Sequence, residues 1–163
     1  MTASAATLSA CGLYRYTLDR DWADGPRAIW IMHNPSTADA NNDDPTIRRV
    51  RSFTEREGCG GFTVVNLYAW RATNPKELRA VADPVGPDND RHIAAAVRAA
   101  SGPVIAAWGA IQSWQRIRVA RLLQGPLARA ELRCIGEPTK ANHPRHPLYL
   151  PGNAPLQHWP WAP

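Results

Sequence analysis

The chain has 163 residues, 44% of them hydrophobic and 20% charged, which fits one globular domain over residues 1–163 and excludes a disordered or low-complexity protein. Its apolar runs fall far short of the ~20 residues needed to cross a bilayer. Residues 1–6 lack the basic and apolar parts of a secretion signal, so a cytoplasmic protein without membrane contact is expected. Three scattered cysteines, Cys11, Cys59 and Cys134, show no Cys-x-x-Cys spacing and argue against a disulfide framework, a zinc ribbon or an iron–sulfur cluster. The net charge of +5 is unevenly placed. Residues 1–97 hold 11 Lys/Arg against 12 Asp/Glu, whereas residues 98–163 hold 8 against 2. A basic C-terminal third suits a polyanion such as nucleic acid, and equally suits a solvated basic surface.

In chain order, residues 13–18 place Tyr14, Tyr16 and Leu18 at alternate positions and suggest an outer strand. Residues 28–33 (Ala-Ile-Trp-Ile-Met-His) form a short apolar run bounded by polar residues, as expected of a strand buried on both faces. Residues 46–57 carry Ile47, Val50 and Phe53 at helical spacing, with Asp44 before Pro45 as the cap. A second buried strand follows at 62–67. A helix over 88–100 is capped by Asp88 or Asn89 and presents Ile93, Val97 and Ala100. A third strand lies at 104–108, and a helix over 111–123 repeats Ile111, Trp114, Ile117 and Leu122. A fourth strand occupies 132–136, and the Pro-rich stretch 144–163 reads as extended. Alternation of strand and helix predicts a three-layer α/β/α sandwich on a central, mainly parallel four-stranded sheet.

In such a sheet the segments after the strands meet at one edge, where ligands bind. The first strand delivers His33-Asn34-Pro35-Ser36-Thr37, the second Asn66 to Thr73, the third Trp108-Gly109-Ala110, and the fourth Glu137 to Tyr149. The Asn34 carboxamide can fix a water or a base edge, and the amides around Ser36 and Thr37 can face an anion. As a bare Asn-Pro dipeptide, the same residues make an ordinary turn. Asp39, Asp43 and Asp44 lie close enough in sequence to hold a divalent cation, but without the Gly and Glu of an EF-hand loop, and Asp44 fits a helix cap better. His143 and His146 lie in a proline-bound loop flanked by Lys140 and Arg145. That context favours phosphate or oxyanion contact first, a structural loop second and a metal third. Tyr68, Trp70, Arg71 and Tyr149 can bracket a nucleobase or pack at the sheet rim. Trp22, Trp30, Trp114, Trp159 and Trp161 read as packing residues. No cofactor or metal is expected.

Taken together, these segments resemble the uracil/thymine DNA glycosylase superfamily, most closely its mismatch-specific branch. Met32-His33-Asn34-Pro35-Ser36 is similar to its Gly-Ile-Asn-Pro-Gly. Residues 65–73 resemble its Thr-Asn-Leu-Val-x-Arg-x-Thr, with one residue inserted. Gly109-Ala110-Ile111-Gln112 partly matches a Gly-x-x-Ala turn, and residues 143–148 resemble the closing His-Pro-Ser-Pro-Leu loop. Met32 and Ser36 replace two glycines, Arg145 stands where the loop has Ser, and an extra residue before Pro147 leaves two candidate histidines. The chain also resembles an uncharacterised bacterial and phage family whose signature it carries at residues 34–39, 44–46, 83–90 and 143–149.

The glycosylase resemblance implies a uracil-DNA-glycosylase-like fold and an N-glycosidic hydrolase that extrudes a damaged or modified base from nucleic acid, DNA rather than RNA. It implies that Asn34 positions the attacking water while His143 or His146 stabilises the leaving base or grips phosphate. Pro35, Ser36, Thr37, Asn66, Tyr68, Arg71, Gly109 and Tyr149 would form the base pocket, with Lys140 and Arg145 on the backbone, and the enzyme would act as a monomer. A non-catalytic nucleic-acid or nucleotide-binding module on the same scaffold is the alternative, since fold does not fix function. A metal-dependent hydrolase using Asp39, Asp43, Asp44 and a histidine is the third reading.

Overall fold

A computed structural model describes residues 2–36 and 38–161. Seven strands form one mixed sheet: β1 (Ala3–Leu8), β2 (Arg15–Asp21), β3 (Arg27–Met32), β4 (Gly61–Asn66), β5 (Val104–Ala106), β6 (Leu132–Ile135) and β7 (Leu156–His158), in spatial order β1-β2-β4-β3-β5-β6-β7. The four expected strands are the consecutive parallel centre, β4-β3-β5-β6. The expectation of a four-stranded sheet is nevertheless wrong. Antiparallel β1 and β2 extend one side, and antiparallel β7 extends the other. β1 is Ala-Ser-Ala-Ala-Thr-Leu, mostly exposed, and β7 has three residues; neither carries an apolar pattern. Pairing to a formed neighbour creates such edge strands, and periodicity cannot announce them.

Helix α1 (Pro45–Arg56) covers one face, with Ile47, Val50 and Phe53 packed on Ala28, Trp30, Phe62 and Val64. Helices α2 (Asn89–Arg98) and α3 (Arg116–Gln124) cover the other, placing Ile93, Val119 and Leu122 against Ile29, Ile31 and Val65. Alternate residues of β3 and β4 therefore enter two different cores, which is why both strands read as unbroken apolar runs. Trp30 satisfies its indole by donating from Nε1 to Thr54 Oγ1 at 2.9 Å. None of the described helices is long and apolar enough to cross a membrane.

One helical expectation holds and another shifts. Asp44 caps α1 as expected, accepting from the Ile47 amide at 2.9 Å, with Pro45 at the first helical position. The helix expected over 111–123 instead opens with a 3₁₀ turn, Ser113–Gln115, and becomes α-helical at Arg116. That change of pitch rotates the buried stripe. Ile117 is 61% exposed, and Arg118 is buried in its place, donating to Leu67 O and pairing with Asp90, both at 2.7 Å.

The stretch 83–90, to which the sequence assigned only a helix cap at Asp88 or Asn89, braces the carboxyl end of β4; Asp88 precedes the helix without a side-chain cap bond. Asp83 Oδ1 accepts from the Gly86 amide, and the carbonyls of Pro84 and Val85 accept from the amides of Trp70 and Ala69. Asn89 is fully buried and donates from Nδ2 to the backbone oxygens of Asn66 and Leu67 at 3.0 and 3.3 Å. Gly86, at φ +92°, lies against the Tyr14 and Tyr16 rings, where a Cβ would approach within 2.9 Å of Tyr14. The segment is a clamp that holds the end of a central strand still.

Candidate functional site

A crevice of about 430 Å³ opens at the carboxyl edge of the parallel strands. The chain leaves β3 toward β4 on one side and later returns to β5 on the other, so the crevice lies at a topological switch point. Segments following β3, β4 and β5 line it together with the loop containing His146.

Asn34 is fixed by its neighbours. Its Nδ2 donates to Ala72 O at 2.8 Å and to Pro35 O at 3.0 Å, and its Oδ1 lies 2.9 Å from His33 Nδ1. The protonation pattern follows from Gln115, which is buried. Gln115 Oε1 accepts from the Gln112 amide, so its Nε2 donates to His33 Nε2 at 2.7 Å. His33 must then carry its proton on Nδ1 and donate to Asn34 Oδ1. Three of the four hydrogen-bonding positions of the carboxamide are taken, and one lone pair of Oδ1 remains for a water.

Asn66 closes β4 and is 1% exposed, on the crevice wall. Neither Nδ2 nor Oδ1 has a partner among the described residues. A buried carboxamide left unpaired costs about 1–3 kcal/mol, and at the crevice wall a water or a ligand can complete it.

Arg15 lines the same crevice and is 3% exposed. Its Nη1 donates to Ala38 O, while Nε has no partner among the described residues. Among the described residues no carboxylate forms an ion pair with it; the nearby Asp44 is held instead by Ser36 Oγ at 2.9 Å and by the cap bond to Ile47. Burial pulls its guanidinium down to about 10, which leaves it charged at neutral pH. A β-bulge puts Arg15 there. Thr7 pairs with Thr17 but Leu8 with Arg15, so β2 holds one extra residue at Tyr16. Tyr16 consequently turns to stack on His92 of α2 at 4.6 Å, whereas Leu18 joins the core beneath α1. The expected single face of Tyr14, Tyr16 and Leu18 is split by this bulge.

Of the two candidate histidines, His146 borders the crevice, and His143 lines a separate hollow with Trp108, Trp159 and Trp161. His146 Nδ1 accepts from the Leu148 amide at 3.2 Å, and burial, aided by His33, lowers its pKa. It is therefore neutral at pH 7 and carries its proton on Nε2. His143 Nδ1 accepts from the Ile111 amide at 3.3 Å, and burial lowers its pKa too. Gly109, at φ +77°, passes so close to His146 that a Cβ would stand 3.3 Å from that residue's Cβ. Tyr149 is 82% exposed at the mouth, its ring 5.6 Å from the His146 ring.

The remaining expected residues separate. Pro35 is buried, its carbonyl receiving the Ala72 amide at 3.1 Å, and Ser36 lines the crevice. Thr37 lies outside the described residues. Tyr68 is 2% exposed in the core beneath α2 and α3, where burial pushes its phenol up to about 12, and it does not border the crevice. Arg71 is exposed and donates to Gly12 O at 3.2 Å, away from the crevice. Arg145 is exposed in an adjoining hollow, donating to Glu137 O at 2.8 Å, and Lys140 is exposed. Asp39 accepts from the amides of Asn41 and Asn42, Asp43 pairs with Arg20 at 2.7 Å, and Asp44 caps α1. These carboxylates face different partners, and the described residues contain no group of three or more metal-ligating side chains.

Sequence reasoning gave no role to Arg15, Gln115, Lys76 or Arg79. Lys76 and Arg79 lie on a groove of about 330 Å³ that shares His33, Pro75 and Ala110 with the crevice. The hollow containing Arg145 shares Gly109, Ala110, His146 and Tyr149 with it. No signal marked Arg15, because only the bulge turns it inward.

Burial lowers the pKa values of His92, His143 and His146 from 6.5. The unfolded chain therefore binds more protons just below pH 6.5, and stability there rises with pH. Thermal stability is expected to be level above about pH 6.5 and to fall on acidification below it. His146→Gln should remove part of that slope. A Tm unchanged between about pH 7.5 and 5.5 would show that the three rings are solvated. Asp39, held below 3.8 by its amide donors, acts only at still lower pH.

A model of the family described as protein of unknown function (DUF1643) matches residues 15–148. No curated protein and no solved structure matches the chain.

Proposed function

We propose, for a chain that belongs to the DUF1643 family of proteins of unknown function, that the crevice receives a single nucleobase and that the protein hydrolyses its N-glycosidic bond in nucleic acid. The observation that carries this reading is the unpaired, buried Asn66 carboxamide. Its adjacent donor and acceptor match the hydrogen-bonding edge of a base, and a base taken out of the stack supplies that edge without water. Tyr149 offers an exposed ring at the mouth on which the base or its neighbour stacks. Lys76 and Arg79 on one side and Arg145 on the other suit the phosphates of a strand crossing the opening.

Hydrolysis adds the oxygen of a water to the sugar carbon as the carbon–nitrogen bond breaks, with the bonding pair leaving on the base. The remaining lone pair of Asn34 Oδ1 orients that water, while the Gln115–His33 chain keeps the carboxamide from turning. His146 Nε2–H stabilises negative charge on the departing base, which finally takes up a proton from the water.

A second reading, a binding module without catalysis, draws on the same Asn34. Its carboxamide is so far committed to His33, Pro35 and Ala72 that it also serves as a tie between loops. Single- and double-stranded oligonucleotides carrying uracil, hypoxanthine, mismatched thymine or hypermodified pyrimidines separate the readings. Abasic sites in at least one substrate are the expected result. Retention without abasic sites selects the binding module, and neither retention nor cleavage defeats both.

A further inference from the structure

Asn66 accounts for one unfinished polar group in the crevice, and Arg15 is another of opposite character. A guanidinium this buried normally has a carboxylate against it, because removing a cation from water is costly without a counter-charge. Here the fold bulges a strand to bring Arg15 inward, gives it one backbone carbonyl, and leaves Nε unpaired among the described residues. Arg20, the next arginine on the same strand, shows the ordinary arrangement, with Asp43 on both Nε and Nη2 at 2.9 and 2.7 Å. The nearest acids reach Arg15 through their field and, among the described residues, form no ion pair with it: Asp44, on the same crevice wall, is hydrogen-bonded to Ser36 and Ile47, and Asp39 to its own turn. Backbone phosphates do not meet this need, since the cations suited to them lie at the rim and Arg15 lies inside.

We propose that the group entering the crevice carries its own negatively charged oxygens, which the buried Arg15 neutralises while Asn66 pairs with the base. This rests on the base-binding reading for the Asn66 half alone; the anion site stands on Arg15. Two chemical sources supply such oxygens: a base bearing an acidic substituent, or the phosphate of a mononucleotide. Both present planar or tripodal oxygens to a guanidinium fork.

Two ligand pairs, each differing by one anionic group, test the inference on the intact chain: orotate against uracil, and uridine 5′-monophosphate against uridine. Binding is read by calorimetry, with inorganic phosphate as a minimal probe read by thermal shift. At least one anionic member should bind about tenfold or more tighter than its neutral partner, and Arg15→Met should erase that preference. The pair showing it names the source. Because Met removes an unpaired buried charge, Arg15→Met should also leave the free protein as stable or raise its Tm by roughly 2–4 °C. Equal affinity within both pairs, or no anion bound at all, overturns the proposal, as does a preference that survives Arg15→Met. If phosphate binds through Arg15 while no base-bearing ligand binds better than phosphate, the anion site holds and the base reading fails. If uracil and uridine bind as well as their anionic partners, the base reading holds and the anion site fails.

Discussion

Asn66→Leu is expected to stabilise the free protein and to abolish ligand binding in one step. Leu has the branched skeleton of Asn and no polar atoms, its bulkier methyls have the crevice to extend into, and the position is 1% exposed with no partner to lose among the described residues. Removing an unsatisfied buried amide should raise stability by about 1–2 kcal/mol. For a chain of this length that is a rise in Tm of roughly 2–8 °C. The same change leaves both polar atoms of a bound base edge facing hydrocarbon, which should weaken binding by about 100-fold or more. Asn66→Asp serves as the companion variant. It keeps the shape, replaces the donor by an acceptor, and should lose the ligand without gaining stability. A fall in Tm for Asn66→Leu would show that the native chain already satisfies the amide. Unchanged ligand binding in that variant would remove Asn66 from the site and take the base-binding proposal with it. Such opposition between stability and binding is usual where a protein holds a site ready for something else.

Asn34→Ala should cost both stability and activity, in amounts that can be separated. The variant leaves the carbonyls of Pro35 and Ala72 without their side-chain donor and His33 Nδ1 without its acceptor. Three such losses in a partly buried loop amount to about 2–4 kcal/mol. If Asn34 also orients the attacking water, cleavage measured well below the Tm should fall by about a thousandfold, with base affinity retained. Gln115→Ala probes the same geometry at one remove. Its side chain reaches Asn34 through His33, so it is a positioning residue: it should lower the rate while leaving KM near the native value and preserving Asn34 itself. Full cleavage by folded Asn34→Ala would reduce Asn34 to a tie between two loops.

Much of the crevice lining is legible in the sequence. The apolar runs of β3 and β4 fixed where two central strands end, and Asn34, Asn66, Gly109 and His146 follow from those ends because parallel strands deliver their successors to one edge. Which neighbours stay at that edge is not a property of the pattern. Tyr68 stands two residues after Asn66, yet its side chain enters the opposite core, since the chain turns after β4 and the ring finds Trp114 and His33 there. His143 and His146 are three residues apart, and the proline-bound loop sends them to different hollows. Ile117 was expected to be buried by a straight helical count, and a single 3₁₀ turn upstream rotated it into solvent.

By itself the sequence determined the strand-and-helix alternation, the two apolar central strands, the cap at Asp44 and the convergence of polar loops at one edge. All of these are properties of neighbours along the chain, governed by side-chain period and backbone stereochemistry. Tertiary structure alone decided the edge strands, the inward turn of Arg15, the His33–Gln115 chain across 82 residues, and the clamp of Asn89 on the end of β4. Each depends on the other chain segments that meet it: a strand that pairs only because a partner is already in place, a bulge set by register, a hydrogen bond whose partner is distant in sequence. Whether a buried polar group is satisfied is likewise a fact about space. For Asn66 and Arg15 the answer, unpaired among the described residues, is what points to a ligand.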